Sequence, residues 1–527
     1  MSTTEARLWT GGRVFTGQRY AEAVLLENGE VVAVGSDTDV RRVAPTGTES
    51  LPLDGRLVVP GLIDAHLHVG ALARFREGLD LTGVRGMDGL VQRIRDWAAL
   101  HPAGPIAGRG LDVERSLSGH WPNRHDLDRA VSDRGLVVYH TSGHGAVVNS
   151  HVLGVAGIEH LPTDELTGRI GRASDGSPNG ILYEEALRLV APFVATPMGE
   201  EEVVRTLQYL AAFGLTTVAT MDVTPEDLAL LRSLAAADRL PIRLRVYLRL
   251  LRIADFPPEA LASAGRPHQF AVVGTKGFTD GAFGPRTAWL SEPYSDAADN
   301  RGLAVESDET LSRALAMASD RGLAPALHAI GDRAIVRAAQ LLKPYSGRTA
   351  AWPRIEHVGL TTPAVLSALN ETRPALVVQP GFVWSDYWLR DRLGPERARW
   401  AYAFRTLADR GHRLVGSSDA PYDPPDPWRG LRAVTHRRDP LGLSANPDPR
   451  EALAFEEAAR MYGTNAGEAL GESNLGSLEV GSIGDLLVVE ARSLEEALRT
   501  GARAVRETWV DGVCVFDSAA VGRGPNG

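Results

Sequence analysis

The hydrophobic pattern of the chain divides into two ends that resemble each other and a middle that resembles neither. Near the start, apolar runs at 23–26 and 31–34 flank Asn28-Gly29, a dipeptide that favours the tight turn of a β-hairpin. Near the end, 485–489 reads as a strand, and 508–510 and 513–516 flank a second turn signal, Asp511-Gly512. Isolated hairpins are too small to be stable in water. The pattern therefore predicts one small β-sandwich made from both termini, residues 1–57 with 475–527.

Between them, from 58 to 474, strand-like and helix-like stretches alternate, as expected of a parallel sheet covered by helices. A first strand runs from 57 to 64, and others fall near 216–220, 243–248, 272–278, 324–329, 354–358, 375–379 and 413–417. Thr224-Pro-Glu-Asp227 opens a helix with an N-cap, a proline in the first turn and an acid three residues on. Gly394-Pro-Glu-Arg397 opens another, and 308–321 and 332–342 carry apolar positions at helical spacing. Eight parallel strands is the number that closes a barrel, so the fold class predicted is α/β, a (β/α)8 TIM-like barrel.

The first and second strands are separated by about 70–200, too long for a plain loop. Helical stretches at 89–100 and 123–130 and a strand at 136–140 make it an inserted lid or small subdomain.

Composition narrows the function classes. The 527 residues are 44% hydrophobic and carry a formal charge of −10, which lacks the basic surface that nucleic acid requires. The single cysteine, Cys514, excludes an intrachain disulfide and a thiolate cluster, so any metal must be held by nitrogen and oxygen. The start has no signal-peptide pattern and no apolar run is long enough to span a bilayer, so a soluble, cytoplasmic protein with no membrane partner is expected.

The candidate chemistry begins at PGLIDAHLH (60–68). Histidines at i and i+2 of a strand point the same way, so His66 and His68 can reach one metal. A lone His-x-His is commonplace. Lys276, His328, His357 and Asp419, however, also fall at the carboxyl ends of predicted strands, the face where barrel enzymes place their sites. Each has a bland reading: a core histidine, a helix-capping aspartate, or a Lys276–Asp280 salt bridge. The coincidence of five clusters on one face argues against all of them together.

These motifs resemble the amidohydrolase superfamily, within it the branch that includes N-substituted formamide deformylases. The resemblance runs through PGLIDAHLH, GRGLD (108–112), SGHGAVVNS (142–150), TKGFTDGAFGPRTAWL (275–290), LHAIGDRAI (327–335), RIEHVGL (354–360), VQPGF (378–382), VGSSDAP (415–421) and LGSLEVGSIGDLLVVE (475–490). It implies His66, His68, His328, His357 and Asp419 as metal ligands and Lys276 as a carboxylated, bridging lysine. It also implies the composite terminal sandwich, and a bulkier residue where Gly145 stands.

A desolvated lysine can be a neutral amine that takes up CO₂. One or two divalent ions are expected, with Zn²⁺ suiting the donors best. The reaction expected is cleavage of a C–N bond, in an amide or N-substituted formamide, by a metal-bound hydroxide with Asp419 as proton shuttle. Deamination of a heterocycle is the alternative within the same scaffold, and a silent binding protein is the alternative in kind.

Substrate is expected to be a small molecule, met by His144 from the inserted segment, Asp280 and Trp384. Phe283, Trp289, Phe382, Tyr387 and Trp388 supply further aromatic surface after the fourth and seventh strands. A homodimer is the default assembly.

Overall fold

The computed structural model describes residues 5–141, 143–161, 170–183, 186–194 and 198–521. Its centre is a sheet of eight parallel strands: Leu62–Leu67, Leu215–Val223, Arg243–Arg249, Phe270–Phe278, Ala324–Ala329, Arg354–His357, Ala375–Val378 and Leu414–Gly416. Every residue in the first, fifth, sixth, seventh and eighth of these is buried. Burial on both faces is why the seventh, ALVV, reads as a continuous apolar run, whereas the sixth, RIEH, buries charged and polar side chains. Helices cover the outside. The helix Asp332–Leu342, for example, buries Ala334, Ile335, Ala338, Ala339 and Leu342. The helix Pro225–Ala236 starts where expected, with the Thr224 side chain accepting from the Asp227 N–H.

The sheet curls until its two edges meet. The Asp419 N–H donates to the His66 carbonyl at 2.8 Å, and the His68 N–H to the Ala420 carbonyl at 2.8 Å. The Ser418 N–H donates to the Asp64 carboxylate at 3.1 Å. The arrangement is the nearly closed (β/α)8 barrel that the spacing predicts.

One strand differs from expectation. The run from 57 to 64 is two strands, broken at Gly61. Leu57–Pro60 pairs with Leu486–Val489 and Arg13–Phe15 in a terminal sheet, and only Leu62–Leu67 belongs to the barrel. Pro60 has no N–H for a ladder, and a Cβ at position 61 would collide with the Thr216 side chain. The chain changes sheets where it must be narrow.

The terminal segments form a four-stranded and a six-stranded sheet, the latter combining strands from both ends of the chain. Between them Val24, Leu26, Val58 and Leu486 pack around Trp9 and Trp509, whose rings meet edge to face at 5.2 Å. Both turn signals are used as turns: Asn28, Gly29, Asp511 and Gly512 all have positive φ.

The inserted segment carries a six-stranded sheet of its own, including Leu79–Asp80, Ile106–Leu111, Leu136–His140 and Gly145–Val148. The helix Gly86–Leu100 lies on one face, with Leu90 and Ile94 packed against Ile106, Leu136 and Val138. The expected 123–130 helix is shorter, Arg124–Asp128, and is held by an Asn123–Asp126 capping box. Residues 162–169, 184–185 and 195–197 of this segment lie outside the described residues. Among the described residues, no helix is long and apolar enough to cross a membrane.

A buried ion pair ties the barrel to the terminal sheet. Arg243, at the start of the third barrel strand, donates twice to Asp485, at 2.7 and 3.0 Å. Removing one partner strands the other charge, so Asp485→Ala is expected to destabilise the protein by about 3–5 kcal/mol in urea unfolding. The Arg243→Met/Asp485→Leu double variant should recover most of that loss. A double variant no more stable than the single one would show that the pair contributes through more than its charges.

Candidate metal centre

The first barrel strand carries one residue more than its neighbour between Asp64 and Leu67: Val218 pairs with Asp64 and Thr220 with Leu67. Such a bulge re-aims side chains. Leu67 joins the apolar layer, while His66 and His68 converge on Asp419. His66 Nε2 lies 3.1 Å and His68 Nε2 3.3 Å from Asp419 Oδ1. His357 completes the group. One ligand atom from each of His66, His357 and Asp419 lies within 4.8 Å of the other two.

Backbone conformation aims the last two. His357 (φ 75°) and Asp419 (φ 63°) both occupy the left-handed region, which non-glycine residues rarely adopt. Such strain persists where the surroundings over-determine it, and it concentrates at functional sites.

Hydrogen bonds behind the cluster set which imidazole nitrogen faces it. His66 Nδ1 donates to Glu356 Oε2 at 2.5 Å, leaving Nε2 with its lone pair toward Asp419. His357 Nδ1 donates to Gln379 Oε1 at 2.7 Å, which leaves Nε2 free in the same sense. Glu356 is gripped in turn by Arg354, at 2.5 and 2.9 Å, and Arg354 also donates to the Ala65 carbonyl at 2.6 Å. Burial pushes the Glu356 carboxyl up, but Arg354 and His66 outweigh it and hold the group well below the usual carboxylate range. Burial lowers the His68 and His328 imidazoles and brings His357 down to about 3, so all three stand neutral, the form that binds metal.

Lys276 is 1% exposed, with Nζ 3.3 Å from His66 Nε2 and 4.9 Å from the centre of the Phe278 ring. Burial lowers its pKa against the pull of Glu356 and Asp419, which favours the neutral amine. His328 donates from Nε2 to the Gly281 carbonyl at 3.0 Å, and its ring lies 4.5 Å from that of His357 and 5.3 Å from that of His144. Asp280 accepts the N–H groups of Trp289, Ile330 and Gly331 at 2.8, 3.0 and 2.8 Å. Burial pushes its carboxyl up to about 7.

The residues present fit a cation. Among the described residues, His357 Nε2 and Asp419 Oδ1 are buried and make no hydrogen bond, with Oδ1 facing only the imidazole nitrogens of His66 and His68, a costly condition unless something else meets them. The donors are imidazole nitrogen and carboxylate oxygen, which suit zinc and its first-row neighbours.

The cluster opens into a cleft of two adjoining lobes, about 450 and about 1120 Å³, which share His144, His328, His357, Asp419 and Tyr422. Asp280 and Lys276 face the smaller lobe; Phe283, Phe382, Trp384 and Trp388 face the larger. Trp384 is 8% exposed, and its Nε1 has no hydrogen-bond partner among the described residues. A Cβ at Gly145 would meet the Trp121 ring at 2.8 Å, so Trp121 occupies the space that a bulkier residue there would take.

Glu356, Arg354, Gln379, Asp64 and Tyr422 did not emerge as functional from the sequence. Signals existed for some. Glu356 and Arg354 share a strand face beside His357 within RIEHVGL, and Gln379 ends a strand within VQPGF. Asp64, two residues before His66, accepts both the His66 and Ser418 N–H groups, and its carboxyl is pushed up by burial to about 6.

Comparisons with known proteins give the family of the chain. The sequence model of the amidohydrolase family matches residues 52–516. The chain is 28% identical to YtcJ of Bacillus subtilis (strain 168), over 97% of this chain and 99% of that one. It is 26% identical to the N-substituted formamide deformylase of Arthrobacter pascens, over 94% and 95%. A crystal structure of an uncharacterized metal-dependent hydrolase from Pyrococcus horikoshii OT3 superimposes with a TM-score of 0.77 at 26% identity, covering 94% of this chain and 99% of that one.

If Gln379 orients His357 toward a cation, Gln379→Leu should weaken zinc binding roughly 10- to 100-fold in competition with a chelator. Unchanged affinity would remove His357 from the ligand set or Gln379 from its support.

Proposed function

Because the chain belongs to the amidohydrolase family, we propose that it is a metal-dependent hydrolase that cleaves a C–N bond in an amide or N-substituted formamide. The observation that carries the reading is the pair of buried, unpartnered polar atoms, His357 Nε2 and Asp419 Oδ1, within a cluster of imidazoles at the carboxyl ends of barrel strands. The likeness to an N-substituted formamide deformylase supports the bond class.

His66, His68, His328, His357 and Asp419 would hold one or two divalent cations, zinc first among them, with a carbamate on Lys276 as bridge. A cation bound there polarises the substrate carbonyl and makes water a nucleophile at neutral pH. Asp419 Oδ1 accepts the proton that the attacking water loses and delivers it to the departing nitrogen. Lys276, buried and favoured as the neutral amine, is suited to take up CO₂. His144 and Trp384 line the cleft and contact substrate, while Asp280 holds the loops after the fourth and fifth strands in place. The reading extends to a cytoplasmic enzyme acting on a small molecule as a homodimer.

Protein purified without chelator should contain about two zinc equivalents per chain if the carbamate bridges, and about one if it does not. His66→Ala should lose most of the metal. On N-formyl amines and simple amides, Asp419→Asn is expected to keep much of its metal while kcat, read as amine release, falls by ~10²–10⁴. Near-normal turnover in that variant would end the shuttle assignment. Ammonia release from heterocycles, with amides untouched, would favour deamination.

A further inference from the structure

The GRGLD motif of the inserted segment has no part in the reaction above, yet Arg109 within it faces the smaller lobe of the cleft. Its guanidinium stacks on Tyr139, 4.2 Å from the ring centre. Stacking occupies the flat face and leaves the N–H edge directed elsewhere. Among the described residues, no carboxylate lies within ion-pair distance of Arg109, and no hydrogen bond of its side chain is made.

The other cations of this lobe differ. Arg249 is held twice by Asp222, at 3.0 and 2.6 Å, and Arg74 lies 4.0 Å from Asp227. Arg188 is exposed, and Lys276 belongs to the histidine cluster.

Tyr422 lines the same lobe as Arg109, and its ring lies 5.3 Å from that of His68. The hydroxyls of Tyr139 and Tyr422 make no side-chain hydrogen bond among the described residues, and both side chains line the same lobe. A half-buried guanidinium with two phenols beside it, one step from the reacting centre, is a donor array that none of the described residues receives. The lobe is large enough for part of a small molecule.

We propose that this lobe is a carboxylate-binding subsite built on Arg109 with Tyr139 and Tyr422, and that the substrate is an acidic amide or formamide whose carboxylate docks there. This rests on the C–N hydrolase reading for what happens at the other end of the molecule. The charge balance selects a carboxylate. Asp222, Asp227 and Glu306 also face the lobe, so one unpaired cation can answer one negative charge, whereas a dianionic phosphate would meet repulsion.

The test is calorimetric and needs no turnover. Zinc-loaded wild type is titrated with 3-phenylpropanoate and with its neutral counterpart 3-phenylpropanamide. Wild type should prefer the acid by roughly 10- to 100-fold. Arg109→Leu should abolish that preference at unchanged metal content and circular dichroism, and Arg109→Lys should keep part of it. Should Arg109→Leu fail to fold, Arg109→Gln carries the same expectation. An undiminished preference in Arg109→Leu would place the carboxylate on the cation centre and overturn the subsite, as would no preference in wild type. The two readings fail separately. Arg109-dependent binding without hydrolysis of any N-formyl amino acid would remove the reaction and leave the subsite. Equal hydrolysis of N-formyl amino acids by wild type and Arg109→Leu would remove the subsite and leave the reaction.

Discussion

The structure depends on the seam where the eighth barrel strand meets the first. A sheet of eight strands covered by helices must close or leave an edge unpaired. Here the closure is made by few groups: the Asp64 carboxylate receives the Ser418 N–H, the His66 carbonyl receives the Asp419 N–H, and the Ala420 carbonyl receives the His68 N–H. The residues that close the barrel are the candidate ligands or their immediate neighbours. Asp419 reaches His66 because its own backbone is bonded to the His66 backbone, so fold closure and site assembly are one event. The left-handed backbone at Asp419 is held by these same bonds.

Behind the seam, electrostatics is arranged in layers. Buried charge is expensive unless paired and hydrogen-bonded. Arg354 and Glu356 pair two residues apart on the sixth strand, and Glu356 also receives the His66 N–H. One pair thus settles a charge, a tautomer and a ring orientation. At the front of the cluster nothing equivalent exists. Among the described residues, His357 Nε2 and Asp419 Oδ1 end without hydrogen-bond partners, so the network is open toward the cleft.

Much of this architecture was legible from the chain. Doubly buried strands show as apolar runs, and the helix 332–342 was readable to its ends because its apolar spacing and acidic first residue coincide. The break at Gly61 was not legible: the residues on either side are equally apolar, and hydrophobicity does not say to which sheet a strand belongs. Histidines and an aspartate at strand ends were visible as candidates because ligand chemistry restricts residue type. Their supports were not, since what Glu356 or Gln379 does depends on which strand lies beside it in space. Positive φ at His357 and Asp419 carries no sequence signal at all, and Trp121 filling the room beside Gly145 could be found only from coordinates.

The two lobes of the cleft divide the work of recognition by different physics. In the larger lobe the acidic groups are answered from within: Glu114 by Arg392 and His140, Asp423 by Arg429 and Ser385, and Asp386 by the Tyr402 hydroxyl. With these acids paired and its walls carrying Phe283, Phe382, Trp384 and Trp388 beside the exposed Arg85 and Arg115, that lobe offers mainly shape and apolar contact. The smaller lobe keeps Arg109 in reserve, so it selects by charge. A substrate spanning both is oriented before any chemistry begins. The apolar fragment cannot trade places with the charged one without stranding Arg109 against a surface that offers it nothing, a penalty that grows as the cleft excludes water. The inserted segment supplies Arg109, Tyr139 and His144 and thus one wall of the cleft, whereas the barrel supplies the candidate ligands. Change in the first can alter which molecule is presented without disturbing the residues that would act on it.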